Sequence, residues 1–422
     1  VEVGGMVPGG FPGEATEIFH EGLRVPPVKI IKAGKDVPEV WKLLLANVRT
    51  PRGNYGDLRA MISAVDLGES RLADLIKKYG KDTFRTTITD LMDYSESRMR
   101  AEISSIPDGR YEFEDVLEDD GIEDKEYTIK VTAFVQGDEV VIDYTGSSPQ
   151  AKGPINATLG VAYSASFNAM LHVTDESIPK NSGCFRPIRV IAPAGTIMNV
   201  NYPGSEVGGN TETHPLIVAC ILGAFSKASP TRVMASEGTT HGCFVFGGWD
   251  EDNDQPFGAF DFSYVGYGGR HNADGNDATD SINGNCGNTP TEVFETMFPW
   301  MVEEYALRQD SGGAGEHRGG LSISKTMLCT GGDMLISQMT NKHKKQAWGL
   351  FKGKDGISGA TLYKAKDGSE WQTISQAFGK VSPSKYSNVP VKPGDRISVK
   401  APGGGGYGDP NQRNRSSVVE DV

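Results

Sequence analysis

Nowhere in the chain do about 20 apolar residues run together, the length a membrane-crossing helix needs, so no such helix is expected. No Gly-x-x-x-x-Gly-Lys-Ser/Thr string occurs, so the chain carries no phosphate-cradling loop of its own. Cys-x-x-Cys pairs and His-Glu-x-x-His helices are likewise missing, which removes zinc ribbons, redox dithiols and zincin sites. Basic charge is short: 42 Lys and Arg against 55 Asp and Glu give −13. Nucleic acid, which needs a cationic surface, is therefore not an expected partner. The five cysteines, at 184, 220, 243, 286 and 329, are odd in number and far apart. With no charged-then-apolar leader at the start, they favour a reducing, cytoplasmic compartment.

What the chain has in excess is glycine, 53 of 422 residues or about one in eight. The clusters stand beside Asn, Asp, Thr, His and Arg: Gly208-Gly209-Asn210, Gly268-Gly269-Arg270, Gly312-Gly313-Ala314-Gly315, Gly319-Gly320 and Gly403 to Gly406. The simplest reading of each is a tight polar corner between strands.

Periodicity gives an α+β fold class, with a helical N-terminal layer, a mixed central region and a β-rich C-terminal region. Residues 36–106 form the helical layer. Asp36 reads as an N-cap ahead of Val40, Trp41, Leu44, Leu45 and Val48; a second helix spans about Leu58 to Lys78. A third runs from an Asp82 cap through Phe84, Ile88, Leu91, Ser95, Met99 and Ile103. In the mixed region, 107–242, Tyr127 to Val135 alternates, Gly137-Asp138 turns, and Val140, Ile142 and Tyr144 return as a half-buried hairpin. The β-rich region is 243–410, with one helix expected near Glu292 to Tyr305. Residues 411–422 read as a disordered polar tail. Val1 to Gly5, strand-and-turn chemistry with no initiator Met, reads as the interior of a longer polypeptide, and 1–35 as the remainder of an N-terminal region.

Four groups of polar residues could carry chemistry. Gly208, Gly209, Asn210 and Thr211 feed a helix start, where free N–H groups and the positive dipole end favour a substrate anion. Glu212 and His214 follow in the first turn, so His214 is a candidate proton carrier. Ser236 to His241 meets an apolar strand and makes His241 a second candidate. The acid and amide run Asp274 to Asn288 lacks the Glu at position twelve of an EF-hand loop. Near the start, Glu2 and His20 are metal-capable side chains on loop-like backbone, two of the roughly four to six ligands a divalent ion takes.

Several strings are specific enough to carry a resemblance. These are Glu21 to Pro27, Asn47 to Pro51, Asp57 to Ala60, Gly153 to Ala157, Gly183 to Pro187, Asn288 to Glu295, Asp310 to Gly315 with Arg318 to Gly320, and Pro402 to Pro410. Together they resemble the hydantoinase B/oxoprolinase family along nearly the whole chain. The resemblance implies a B-type subunit that works with an ATP-binding hydantoinase A-type partner, with ATP and Mg held there, in a hetero-oligomer. It implies ATP-dependent opening of a cyclic amide such as 5-oxoproline, a hydantoin or a lactam. The alternatives are a subunit of a ketone carboxylase of the acetophenone or acetone type, and a non-catalytic structural subunit. The family's His-x-x-Asp-x-Gly-Gly motif supplies metal ligands; Val1 to Gly5 matches only its end, with Glu2 in place of the Asp. Glu2 and His20 are thus the implied partial ligands of a divalent ion (Zn, Mn and Fe not distinguished), with His214 and His241 handling protons.

Overall fold

The computed structural model describes residues 2–250 and 254–421, the side chain of Glu420 excepted. Val1, residues 251–253 and Val422, which fall in the expected N-terminal remainder, β-rich region and tail, lie outside the described residues.

After an irregular N-terminal segment, a small hairpin of β1 (Ile31–Lys32) and β2 (Lys35–Asp36) leads into helices α1 (Pro38–Leu45), α2 (Pro51–Tyr79) and α3 (Lys81–Ile103). Asp36 is not the cap: it ends β2 and pairs with Arg59, and Val37 takes the N-cap position. α2 begins seven residues before the expected Leu58, because Pro51 presets helical φ at the first position and needs no N–H partner there. The two long helices form an arm instead of a packed layer. Only Asn54 of α2 and Ser95, Met99 and Ile103 of α3 are buried, while Val65 is 71% exposed.

The central region is a four-stranded sheet in the order β3 (Gly109–Leu117), β4 (Tyr127–Gln136), β5 (Glu139–Asp143), β6 (Ile188–Ile191). Its strands are antiparallel except that β6 runs parallel to β5. Ile129, Val131, Ala133 and Val135 of β4 all point inward, as their period of two requires. Helices α4 (Leu159–Val173) and α5 (His214–Phe225) cover this face, and every residue of α5 is buried. So apolar a helix belongs inside a core.

Two further antiparallel sheets build the C-terminal region. One is β14 (Lys385–Val391), β11 (Met334–Met339), β7 (Cys243–Asp250), β8 (Gln255–Asp261). The other is β13 (Gln372–Thr373), β12 (Ala360–Lys364), β15 (Arg396–Lys400), β10 (Ile323–Cys329), β9 (Trp300–Leu307). Phe244, Phe246, Ile336 and Val389 of the first share a core with Trp300, Met327 and Ile397 of the second. The expected helix to Tyr305 stops early. Helix α6 covers Thr291–Met297, and Pro299 separates it from β9, whose Met, Glu, Ala and Leu are helix formers overridden by pairing with β10. After helix α7 (Ile374–Phe378) and the last strands, the tail is not disordered: α8 (Arg415–Glu420) forms, and Arg413 pairs with Asp274 and Asp421, each at 2.8 Å.

The glycine clusters make something other than corners. Segment 403–406 runs through a bundle of extended backbones and exchanges hydrogen bonds with four separate stretches. Gly403 N donates to Ile357 O (3.0 Å), Gly404 N to Gly320 O (3.1 Å), Gly405 N to Ser236 O and Gly406 N to Lys354 O (both 2.8 Å); Gly269 N donates to Gly405 O (2.8 Å). A Cβ on Gly403, Gly404 or Gly405 would stand 1.8, 2.0 or 2.1 Å from a backbone oxygen of a neighbour. Side chains are missing here because backbones fill the space.

Candidate functional site

The turn at Gly208 opens a single π-helical turn, Gly209–Thr213, that runs into α5. Such turns widen the helix and re-aim side chains. On one side the turn is tied to the segment carrying His20: Glu21 Oε1 accepts from Ser205 Oγ (2.5 Å), Glu206 N (2.5 Å) and Val207 N (3.0 Å). On the other, His241 N donates to Thr211 O at 3.2 Å and Asn283 Nδ2 to Asn210 O at 2.9 Å. Residues that form separate constellations in the sequence thus meet around one turn, whose Asn210 is exposed while Gly208, Gly209 and Thr211 are buried.

His241 lies 2.7 Å from Asp280 through Nδ1 and 2.9 Å from Asn283 Oδ1 through Nε2. Burial alone would push the imidazole down, yet Asp280 and then Asn283 and Glu212 hold it above its ordinary value. Asp280 is itself lowered: burial would raise it, and His241 with the Cys286 and Ser281 amides outweighs that. His214 differs. Burial first, and His241 second, push it down to about 4, so its ring is neutral near neutral pH, with Nδ1 buried and unpartnered among the described residues.

Two buried carboxyls complete the group. Glu212 exposes no surface, and among the described residues neither of its oxygens finds a well-formed hydrogen bond. Burial pushes it up to about 8 against the Thr240 hydroxyl, Lys385, His241 and Thr211. Glu237 is pushed up by burial to about 7, although Ser281 Oγ (2.5 Å) and Ile282 N (3.1 Å) donate to its Oε1. Because native Glu212 holds its proton above the unfolded value of 4.5, its contribution to stability falls as pH rises from there to about 8. Glu212→Gln removes that loss. Relative to the parent chain, the variant should gain roughly 1–3 kcal/mol between pH 5 and pH 8 in denaturant titrations; an unchanged difference would refute the buried proton.

The implied metal pair finds no support in the contacts. Glu2 is buried, and Oε1 accepts from Arg49 Nη1 (2.7 Å) and Gly4 N (3.1 Å), Oε2 from Arg49 N (2.7 Å). His20 accepts from Thr16 N at Nδ1 (3.2 Å) and turns Nε2 toward Glu17 (3.5 Å). An Arg-satisfied carboxylate and an imidazole with both nitrogens engaged are not poised as ligands. Among the described residues no group of three or more His, Cys, Asp or Glu side chains is placed to hold a metal ion. The residues as they stand do not fit the ion, and no chemical step is routed through it.

Two clefts border these residues, one reaching Glu2 and the other Asp280. The larger, about 820 Å³, lies between the start of α2 and β8, with Glu2, Arg49, Asn54, Phe257, Phe262 and Phe298 in its walls. The second, about 520 Å³, has Tyr264, Tyr267, Asp280 and Cys286 in its walls, and Gly287 and Asn288 border both. In the sequence, Asp280 and Asn283 stand out only as members of the acid and amide run. Nothing local to them signals a histidine some forty positions earlier.

Residues 1–410 match the hydantoinase B/oxoprolinase family. The chain is 31% identical to the putative D-/L-hydantoinase B subunit of a Pseudomonas species (strain NS671), over all of this chain and 71% of that one. It is also 31% identical to the caprolactamase beta subunit of Pseudomonas jessenii, over all of this chain and 72% of that one. The crystal structure of the ATP-dependent caprolactamase from that organism matches with a TM-score of 0.89 at 29% identity, covering 100% of this chain and 72% of that one. A nucleotide-free acetone carboxylase shares the fold at the same TM-score with 17% identity, covering 100% of this chain and 61% of that one. Among the described residues no helix is long and apolar enough to cross a membrane. The motif strings and the fold thus agree, and the chain belongs to the hydantoinase B/oxoprolinase family.

Proposed function

We propose that this chain is the B-type subunit of an ATP-dependent cyclic-amide hydrolase, acting in the cytoplasm with an ATP-binding hydantoinase A-type subunit. The observation that carries the reading is the likeness, over the whole of this chain, to the ATP-dependent caprolactamase in both sequence and fold. An unactivated amide resists water because its carbonyl carbon is a poor electrophile. Transfer of the γ-phosphoryl group of ATP to the amide oxygen gives ADP and an O-phosphorylated imidate. Water then adds to its carbon, the ring C–N bond breaks as the nitrogen takes a proton, and a second water hydrolyses the acyl phosphate that remains, releasing phosphate and leaving a carboxylate. The products are an amino acid (an N-carbamoyl amino acid where the ring is a hydantoin), ADP and phosphate.

In this reading the activated ring reaches the exposed edge of the Gly208–Thr211 turn, with Glu212 and His214 below it and His241–Asp280 beside it. Glu212, which keeps its proton at neutral pH, suits the donor role toward the leaving nitrogen. The aromatic cleft, whose Phe262 ring lies 6.5 Å from the His241 ring, has room for a small ring. The test is ADP release and amine formation from 5-oxoproline, hydantoins and lactams by the complex of the two subunits. Turnover with any of these supports the proposal. Turnover with none, together with incorporation of labelled bicarbonate into a ketone, would replace it with the carboxylase reading.

A further inference from the structure

The proton positions around His241 follow from its neighbours. Asn283 Nδ2 donates to Asn210 O at 2.9 Å, which turns the amide oxygen toward His241 Nε2, also at 2.9 Å. Reversing the amide would set two oxygens, Oδ1 and the Asn210 carbonyl, face to face with no proton between them. An amide oxygen can only accept, so Nε2 must carry a proton. Nδ1 faces Asp280 Oδ1 at 2.7 Å, and that carboxylate already accepts from Ser281 N (2.8 Å, Oδ1) and Cys286 N (3.0 Å, Oδ2). It behaves as an acceptor throughout, so Nδ1 must donate as well.

We propose that Asn283 is a positioning residue that fixes His241 as an imidazolium, a standing positive charge beside the Gly208–Thr211 turn instead of a proton-accepting base. A ring whose two nitrogens both donate has no lone pair left to take a proton during turnover. What it supplies is a field: an oriented cation, in a buried setting, that stabilises negative charge developing on a bound substrate. The groups facing the ring are consistent with this. Asp280 is its anionic partner; Glu212, from the π-turn, and Glu237, from the segment before His241, are carboxyls nearby; His214 is neutral; and the Phe262 ring lies at 6.5 Å. Asn283 also links the 280–288 loop, which borders both clefts, to the turn. The catalytic use of the charge rests on the function proposed above; the protonation state does not.

The experiment is long-range proton–nitrogen correlation NMR on the full chain labelled with ¹⁵N-histidine, titrated from pH 5 to pH 10, with His241→Gln to assign the signal. The expected result is both ring nitrogens of His241 protonated at pH 7 and a midpoint above those of the exposed histidines. Asn283→Leu should lower that midpoint by about one pH unit or more, and Asn283→Asp, which keeps an acceptor, should restore it. A neutral His241 tautomer at pH 7 in the parent chain would overturn the proposal, and that result needs no variant to fold. So would an unmoved midpoint in Asn283→Leu, provided the other histidine signals show an intact fold. With the partner subunit, Asn283→Leu should lower kcat while leaving KM nearly unchanged. If the NMR result holds and no cyclic amide turns over, the function reading fails and the imidazolium stands.

Discussion

Asp119→Ala should destabilise the chain by about 3–5 kcal/mol, the scale seen when one partner of a buried ion pair is deleted. Asp119 and Lys385 expose no side-chain surface, their charged atoms lie 3.5 Å apart, and Lys344 reaches the other carboxylate oxygen at 2.9 Å from a half-buried position. Burial would raise the Asp119 carboxyl, but Lys385 and Lys344 hold it down to about 2. Deleting it leaves the Lys385 ammonium inside with, among the described residues, only Ser384 Oγ, at 3.5 Å, in hydrogen-bond reach. One rescue exists: Glu212 feels the same ammonium and can ionise in compensation. The combination with Glu212→Gln should therefore cost more than the two single changes added together. Because the carboxyl is depressed, its contribution is complete above its unfolded value of 3.8 and disappears as pH falls to about 2. Asp119→Asn should flatten that part of the acid-unfolding curve. Denaturant midpoints between pH 7 and pH 2 check both points, and an Asp119→Ala midpoint within error of the parent would refute the pairing argument.

The second large effect is expected from a single methyl group. In Gly404→Ala the new Cβ would stand 2.0 Å from Tyr267 O and 2.4 Å from its carbonyl carbon, both backbone atoms. Overpacking usually costs about 1–3 kcal/mol where side chains can yield. Here the neighbours are main chains held by their own hydrogen bonds, so about 3 kcal/mol or more is expected, with soluble yield falling alongside. Gly56→Ala in α2 is the contrast. Nothing lies within 4 Å of the Cβ position, and a helix interior favours Ala by about 0.5–1 kcal/mol. Thermal unfolding of the two variants should move in opposite directions. Equal, small shifts would mean that the glycine bundle is looser than its contacts indicate.

These two cases show why parts of the chain are legible and parts are not. Helices α2 and α3 and the β4–β5 hairpin announce themselves because their signals are local: spacings of three and four, strict alternation, a Gly-Asp turn. The glycine bundle has no local signature. Composition singles out its residues, but the stretches that contact 403–406 come from positions as far apart as 236 and 357, and the reason for each glycine lies in another stretch. The same division runs through the site. Gly208–Thr211, His214 and His241 can be picked out as polar strings at an element's entrance, and the fold draws them around one turn. Asp280 and Asn283 gain meaning only from a ring brought in from another strand entrance, and Glu212 only from the burial that strips its carboxyl of water. Glu2 illustrates the reverse. Its chemistry suggests a ligand, while Arg49, within one of the family-specific strings, occupies the carboxylate instead.

The crowded run 403–406 also constrains how the gene can change. Glycine codons differ only at their third base, so a substitution there is silent, whereas any change at the first two bases installs a Cβ or a stop. At 403, 404 and 405 that carbon collides with a carbonyl whatever lies beyond it, so charge, polarity and size of the newcomer hardly matter. A saturation library over these positions should therefore split into two classes, synonymous and broken, with almost nothing between.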